Sequence, residues 1–584
     1  MSGADDARGE RRDLGQLAAA GTSERRTRAD GGDKGQTLGE KLTAGLRRIG
    51  YATALHRIRL RGHFPLKLLA VPVDPFPGDA GIGERIVAGR LVHAGHNAPS
   101  RAVRFDDPAA PPAWRDWVNG FAWLRDLAAA ADRGAGARAA EPLMARWLAD
   151  FAEYDAAVWR ADLVGMRLLY WTAYAPYILS SNDLVYRSAV LNVMARSARH
   201  LDRAVDKLPD GPPRVIAAAG LVVAGLLIPG GEARLARGEA LLGRALDAVV
   251  LTDGGLVSRS PLGQLELLEL LLLVQASYAA RAVPVTAALE TAIARLVPAL
   301  KGVTMGDGAL GAWHGGCCSQ PARVEQALQL SGAMARPPRA AGVSGYQRLA
   351  AGHCILVADA GPPPVARAAA AAHAGTLAFE LSDGRHRLVV NCGGSEGLRR
   401  PLPLELAAGL RTTAAHSTLV LANTNSTRIR GDGALGSGVE EVLANRQESE
   451  EGAWLDLQHD GYVRQFGLLH RRRIFLAASG DDLRGEDRLE VAESRRAGRR
   501  RDLAVDVRFH LGGEVEATPT GGGQGALLKL PDGRIWQFKA RGGTLALDDS
   551  VWIDLDGRPQ PTQQLVLSAA GASASFNWSF KRAN

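Results

Sequence analysis

Cysteine is scarce in this chain: Cys317, Cys318, Cys354 and Cys392 are its only four, and none falls in a CxxC spacing. Adjacent cysteines such as Cys317 and Cys318 are poorly placed to bond to each other. The fold therefore does not depend on disulfides, and no cysteine-based metal motif is present. Long hydrophobic runs are missing as well. The stretch from Val215 to Pro229 is too short to span a bilayer, and that from Leu262 to Val274 carries Gln264, Glu266 and Glu269. Both read as buried helices, so no transmembrane segment is expected. From Met1 to Gly35 the chain mixes both signs of charge and has no apolar core of a secretory signal. No helix-turn-helix, zinc-finger or RNP pattern occurs, which argues against a nucleic-acid partner.

What is present is an ordinary soluble composition, 46% hydrophobic and 23% charged. At 584 residues the chain exceeds what one hydrophobic core holds, so at least two folded units are expected. The net charge of +8, from 70 Lys and Arg against 62 Asp and Glu, fits a polyanionic partner and also a plain Arg-rich soluble protein.

Three regions follow along the chain. Residues 1–40 are polar, Gly-rich and charged, and read as a disordered tail. Residues 41–336 show helical periodicity. Trp114, Trp117, Phe121 and Leu124 recur at three- and four-residue steps, as one buried helix face would. Asn182-Asp183 is placed to cap a helix whose apolar face runs through Leu184, Leu191, Ala195, Ala198 and Leu201. About ten antiparallel helices separated by Gly-Pro, Pro-Gly-Gly and Asp-Gly-Gly breaks suggest a toroid or superhelix of hairpins. Beyond Pro337-Pro338, in residues 337–584, short alternating runs bounded by Gly, Asp and Asn predict antiparallel strands. Helices first and strands afterwards imply two segregated domains of α+β type, a helical (α/α) toroid followed by an antiparallel β-sandwich.

Four blocks in the second half carry a specific resemblance. They are HAGTLAFELSDGRHRLVVNCGG (His373 to Gly394), RTTAAHSTLVL (Arg411 to Leu421), HDGYVRQFGLLHRRRIFL (His459 to Leu476) and LRGEDRLE (Leu483 to Glu490). In this order they resemble the C-terminal domain of the heparinase II/III family of polysaccharide lyases, over roughly residues 340 to 565. The helical half resembles the family's toroid more loosely, through WRDWVNGFAWLRDL and LTDGGLVSRSP. The resemblance implies β-elimination at a uronic-acid residue of an acidic polysaccharide. Removing the C5 proton beside a carboxylate places two negative charges side by side, so a lyase must neutralise that carboxylate. It must also supply a base near C5 and an acid near the bridging oxygen.

Carried over residue by residue, the resemblance is uneven. His373 and His416 fall on family histidines and are candidates for acid–base work or for tying loops together. In the zinc-containing branch His373 resembles a metal ligand paired with an aspartate, but here that position is Asn391, a much poorer ligand. A zinc site of His373, Asn391 and His416 is therefore doubtful, and no cofactor is required. A further family histidine is replaced by Ala371, and the Tyr-His pair that active members carry after Ser-Pro is replaced by Leu262 and Gly263. Arg259 is a candidate for bidentate recognition of a substrate carboxylate, or an ordinary surface arginine. Arg411 is a second substrate-binding candidate. Asn182 lies near the family's carboxylate-neutralising asparagine, or serves as a helix cap. Tyr462 either lines the cleft or packs against the sandwich. Tyr170, Tyr174, Tyr177 and Tyr186, with Trp171, form either a core cluster or a sugar-stacking platform.

Two functions stay open at this point. One is a lyase using His373, His416, Asn182 or Tyr462. The other is a catalytically impaired member that binds or helps assemble an envelope polysaccharide or an exopolysaccharide. The resemblance implies the cell envelope or periplasm; the lack of a signal sequence makes cytoplasm the alternative.

Overall fold

The computed structural model describes residues 23–28, 42–43, 45, 49–62, 64–317, 321–492 and 503–583. Its first half is helical and its second half is built of antiparallel strands, as a toroid followed by a sandwich.

The toroid is made of helical hairpins. Pro212–Leu227 packs against both Ala161–Ala173 and Glu232–Val249. The first of these contacts is close because Gly165 and Gly220 face each other. A β-carbon on Gly220 would lie 2.4 Å from the Gly165 Cα, so side chains there would force the helices apart. Helix starts carry the caps their sequences offer: Asp132, Ser260 and Thr286 each accept a backbone N–H of the first turn. Two local expectations need correction. The face from Trp114 to Leu124 belongs to two helices, Pro112–Gly120 and Trp123–Ala130, because Phe121 turns into the left-handed region (φ 60°) and buries its ring. Asp183, not Asn182, caps Leu184–Ala204 by accepting from Val185 and Tyr186.

The last toroid helix, Pro321–Leu330, is followed by the first sandwich strand at Tyr346. One sheet has nine strands, running in space from Ser23–Arg28 through Glu441–Glu448, Gly452–His459, Leu468–Ala477, Asp482–Val491, Ser575–Arg582, Ile535–Arg541 and Gly525–Lys529 to Glu516–Pro519. The other has eight, with Ala504–Leu511 between Pro559–Ala570 and His386–Val390. Alternation along Leu468–Ala477 is strict: every second side chain is buried, including His470 and Arg472. Part of the stretch expected to be disordered is thus a strand, since Ser23–Arg28 adds to the edge of the nine-stranded sheet. The other residues of 1–40 lie outside the described residues, as do the arginines between Arg495 and Arg501.

The toroid core continues into the second half. Trp313, Tyr346, Val357 and Ala378 are buried in one cluster with the helices, so the two domains share an apolar seam. Pro261–Ala280 is the one described helix long and apolar enough to cross a membrane, and 61% of its most apolar window is buried in this core.

Candidate functional site at the domain junction

The seam between the halves gathers polar residues from distant parts of the chain. Arg259 directly precedes the cap of Pro261–Ala280 and has a left-handed backbone (φ 54°) that aims its side chain at the sandwich. There it is buried. It forms an ion pair with Asp359 and donates to the carbonyls of Ser344 (2.7 Å), Gly361 (3.1 Å) and Pro362 (2.7 Å). The Tyr346 hydroxyl returns a bond to the Arg259 carbonyl (2.6 Å). Although burial disfavours its charge, the Arg259 guanidinium, with His314, holds the Asp359 carboxyl down at about 2. Arg259 is therefore spent on Asp359 and the sandwich backbone and presents no fork to a substrate.

His373 and His416 do come together, with His373 Nδ1 3.1 Å from His416 Nε2. The hydrogen bonds assign both tautomers. The Gly315 N–H donates to His373 Nε2 (3.1 Å), so the His373 proton sits on Nδ1 and points at His416. His416 in turn donates from Nδ1 to the Thr412 carbonyl (2.7 Å). All four ring nitrogens are satisfied with both rings neutral. His373 and His416 are 2% and 1% exposed, which separates them from any dissolved substrate. Burial drives the His373 pKa well below 6.5 and that of His416 down to about 4, with its neighbours adding to the shift for His373. A third imidazole, His314, accepts from the His373 backbone N–H (3.3 Å) and faces Asp359 (3.5 Å).

Asn391 is committed as well. Its carbonyl accepts from the Ser417 N–H (3.0 Å), and its amide donates to Glu380 (3.2 Å). The nitrogens of His373 and His416 face each other rather than a common point, and Asn391 is turned to Glu380 and Ser417, so this trio does not fit a zinc ion. Among the described residues no cluster of three or more His, Cys, Asp or Glu is arranged to hold a metal.

The positions where the resemblance expects catalytic side chains are filled by packing. A β-carbon on Gly397 would lie 2.6 Å from Leu262 Cδ2, and one on Gly316 would lie 3.4 Å from Leu262 Cβ. Leu262 thus seals the start of its helix against two loops, where a tyrosine would need open space. Ala371 is partly exposed, and its methyl group lies against Gly315, where an added β-carbon would come within 2.6 Å of it.

The remaining candidates scatter. Tyr462 is 1% exposed and donates to the Leu419 carbonyl (2.9 Å) inside the sandwich. Asn182 is exposed on a loop of the toroid. Tyr174, Tyr177 and Tyr186 give their hydroxyls to Asp74 (2.9 Å), the Ala131 carbonyl (3.0 Å) and the Ile178 carbonyl (2.9 Å). Arg411, partly buried, donates to the Ala372 carbonyl (2.9 Å) beside His373, while its Nη2 has no partner.

Sequence reasoning missed the ion pairs within the toroid. Asp74 receives a two-pronged bond from Arg125 (2.8 and 3.0 Å), and Glu269 receives one from Arg323 (2.7 Å each). Glu266 is exposed, yet protein surrounds it closely enough that desolvation raises its pKa to about 7; Arg323 opposes that shift, and Glu269 and Glu396 reinforce it. These residues stand on separate helices and loops with no shared motif; only the i, i+3 spacing of Glu266 and Glu269 on an otherwise apolar helix was a signal.

Residues 333–580 match the family model for the heparinase II/III-like C-terminal domain. The chain is 32% identical over 575 residues to FtsZ-localized protein C of Caulobacter vibrioides, covering 95% of this chain and 97% of that one. Its fold is similar to that of heparinase III (TM-score 0.68, 11% identity, 94% of this chain and 92% of that chain). It is also similar to a heparan sulfate lyase from Pedobacter heparinus (TM-score 0.58, 14% identity, 93% and 88%). This chain belongs to the heparinase II/III-like family.

Proposed function

We propose that this chain is a binding member of its family, one that keeps the toroid and sandwich without the elimination chemistry and acts together with FtsZ. One observation carries the reading. The positions where the resemblance expects a tyrosine and a histidine hold Leu262 and Ala371, which cannot transfer protons, and the surviving imidazoles are neutral, buried and bonded to each other. Acid–base catalysis needs a group within hydrogen-bond reach of the substrate, and His373 and His416 are walled off from it.

The FtsZ association follows the name of the Caulobacter relative, which aligns over nearly the whole chain. Sedimentation with assembled FtsZ tests it: the chain should pellet with polymers and stay in solution with unassembled FtsZ. Equal supernatant fractions in both conditions would reject it.

The lyase reading keeps one supporting observation. Arg411 has an unpartnered Nη2 next to the His373 turn and feels the Glu396 carboxylate, so it is the one predicted substrate-binding group with a donor to spare.

A further inference from the structure

The toroid contains a second polar anomaly, away from the junction. Arg167, on the helix Ala161–Ala173, is 0% exposed, and its Nε, Nη1 and Nη2 all lack a hydrogen-bond partner. Its guanidinium lies among three buried indoles, 4.6 Å from the Trp147 ring, 5.8 Å from Trp159 and 5.6 Å from Trp171. Two of those indoles spend their N–H groups elsewhere, Trp147 on Asn119 (3.1 Å) and Trp159 on the Phe151 carbonyl (2.9 Å). The Trp171 N–H, one helical turn beyond Arg167, is buried without a partner. So is the Ser197 hydroxyl, on the packed helix Leu184–Ala204.

Unpaired groups of this kind specify a ligand by their chemistry. Guanidinium and indole nitrogens only donate, and a serine hydroxyl can donate, so the cluster is short of acceptors. An arginine cannot shed its proton to escape burial, and a buried charge with no counter-charge is strongly destabilising. Stacking on indoles offsets part of this. The neighbouring rings bring no negative charge. His200, 3.2 Å from His56, is held neutral by burial, with His56 and Arg167 adding to the shift, and its pKa falls to about 3. Burial works against the Arg167 charge, and Asp162 and Asp155 favour it only from beyond hydrogen-bonding reach; water would satisfy the N–H groups without bringing a negative charge into contact.

We infer that Arg167, with the Trp171 N–H and the Ser197 hydroxyl, forms an internal site for a small monovalent anion of the halide class. The anion would act as counter-ion to the guanidinium and fix the contact between the Ala161 and Leu184 helices. The site is independent of the proposed function, since none of its residues lies at the domain junction.

The full-length protein tests this in two ways. Crystals soaked in sodium bromide should show an anomalous bromine peak within hydrogen-bonding distance of the Arg167 guanidinium. In solution, Tm should be roughly 1–4 °C higher in chloride or bromide than in gluconate at equal ionic strength, as for a ligand that binds only the folded state. Arg167→Met should abolish that difference, and Arg167→Lys should keep part of it. A wild-type Tm indifferent to halide, with only water beside Arg167 in the bromide-soaked crystal, would overturn the inference. The crystal measurement decides the matter even if Arg167→Met does not fold.

Discussion

Arg259 and Asp359 form a buried ion pair that joins the first helix after the Asp-Gly-Gly break to the end of a sandwich strand. The residue read from sequence as a hand for the substrate's carboxylate is thus holding the protein's own. It is also the center of a clasp that includes Ser344, Gly361, Pro362 and Tyr346.

Removing one side of this clasp should be costly. Arg259→Met leaves the buried Asp359 carboxylate without its cation, with only His314 and the Gly361 N–H beside it, and such a loss typically costs about 3–5 kcal/mol. Urea unfolding should show a lower midpoint. The double variant Arg259→Met with Asp359→Asn should recover part of the loss, because the stranded charge is gone. If the single variant matched wild type, the clasp would be dispensable.

Stability should fall in acid in two stages. The pKa values of His416 and His510 drop from 6.5 to about 4 and about 3 on folding, through burial above all, and His373 and His459 move the same way. The unfolded chain therefore takes up more protons between pH 6.5 and those values. The stability they confer is whole above 6.5 and is lost as pH falls towards 4. The pKa of Asp359 is depressed from 3.8 to about 2, so its contribution is lost at lower pH. Each histidine adds a slope of about 1.4 kcal/mol per pH unit inside its window. Urea midpoints between pH 7.5 and 4 measure the first stage; a flat profile would contradict the burial of these rings.

His416→Ala should weaken the fold without touching a reaction. It leaves the His373 Nδ1–H and the Thr412 carbonyl without partners, at about 1–3 kcal/mol for a buried unsatisfied group. Tyr462→Phe frees only the Leu419 carbonyl and should cost less. Thermal unfolding of the two variants checks this order.

Zinc should not stabilise the protein. With His373 and His416 bonded to each other and Asn391 to Glu380 and Ser417, no ligand set is available to it at that position. Tm should be the same after dialysis against chelator and after zinc is added back, and calorimetric titration should register no stoichiometric binding.

Much of the architecture was legible in the sequence because periodicity is a local property. The switch from helical spacing to alternation near Pro337-Pro338 falls between the helix Pro321–Leu330 and the strand Tyr346–Ala351, and Leu468–Ala477 alternates as written. The break at Phe121 was not legible, because the apolar spacing continues across it while the backbone turns to bury the ring. The strand at Ser23–Arg28 was hidden for the opposite reason: a charged edge strand is held by backbone pairing and needs little apolar content. At the junction, the histidines could be located in the sequence but their condition could not. Whether His373 faces a groove or the Gly315 amide depends on loops 58 residues apart. His314 and Asp359, which complete the cluster, carry no motif.

The most direct test is an elimination assay. Uronate-containing polysaccharides such as heparan, chondroitin and alginate would be incubated with the protein, and the ultraviolet absorbance of the conjugated unsaturated uronate followed. The account predicts no rise above an enzyme-free control on any of them, with the protein folded and able to pellet with FtsZ polymers. A rise on any substrate that disappears in His373→Ala or His416→Ala, with those variants still folded, would contradict it.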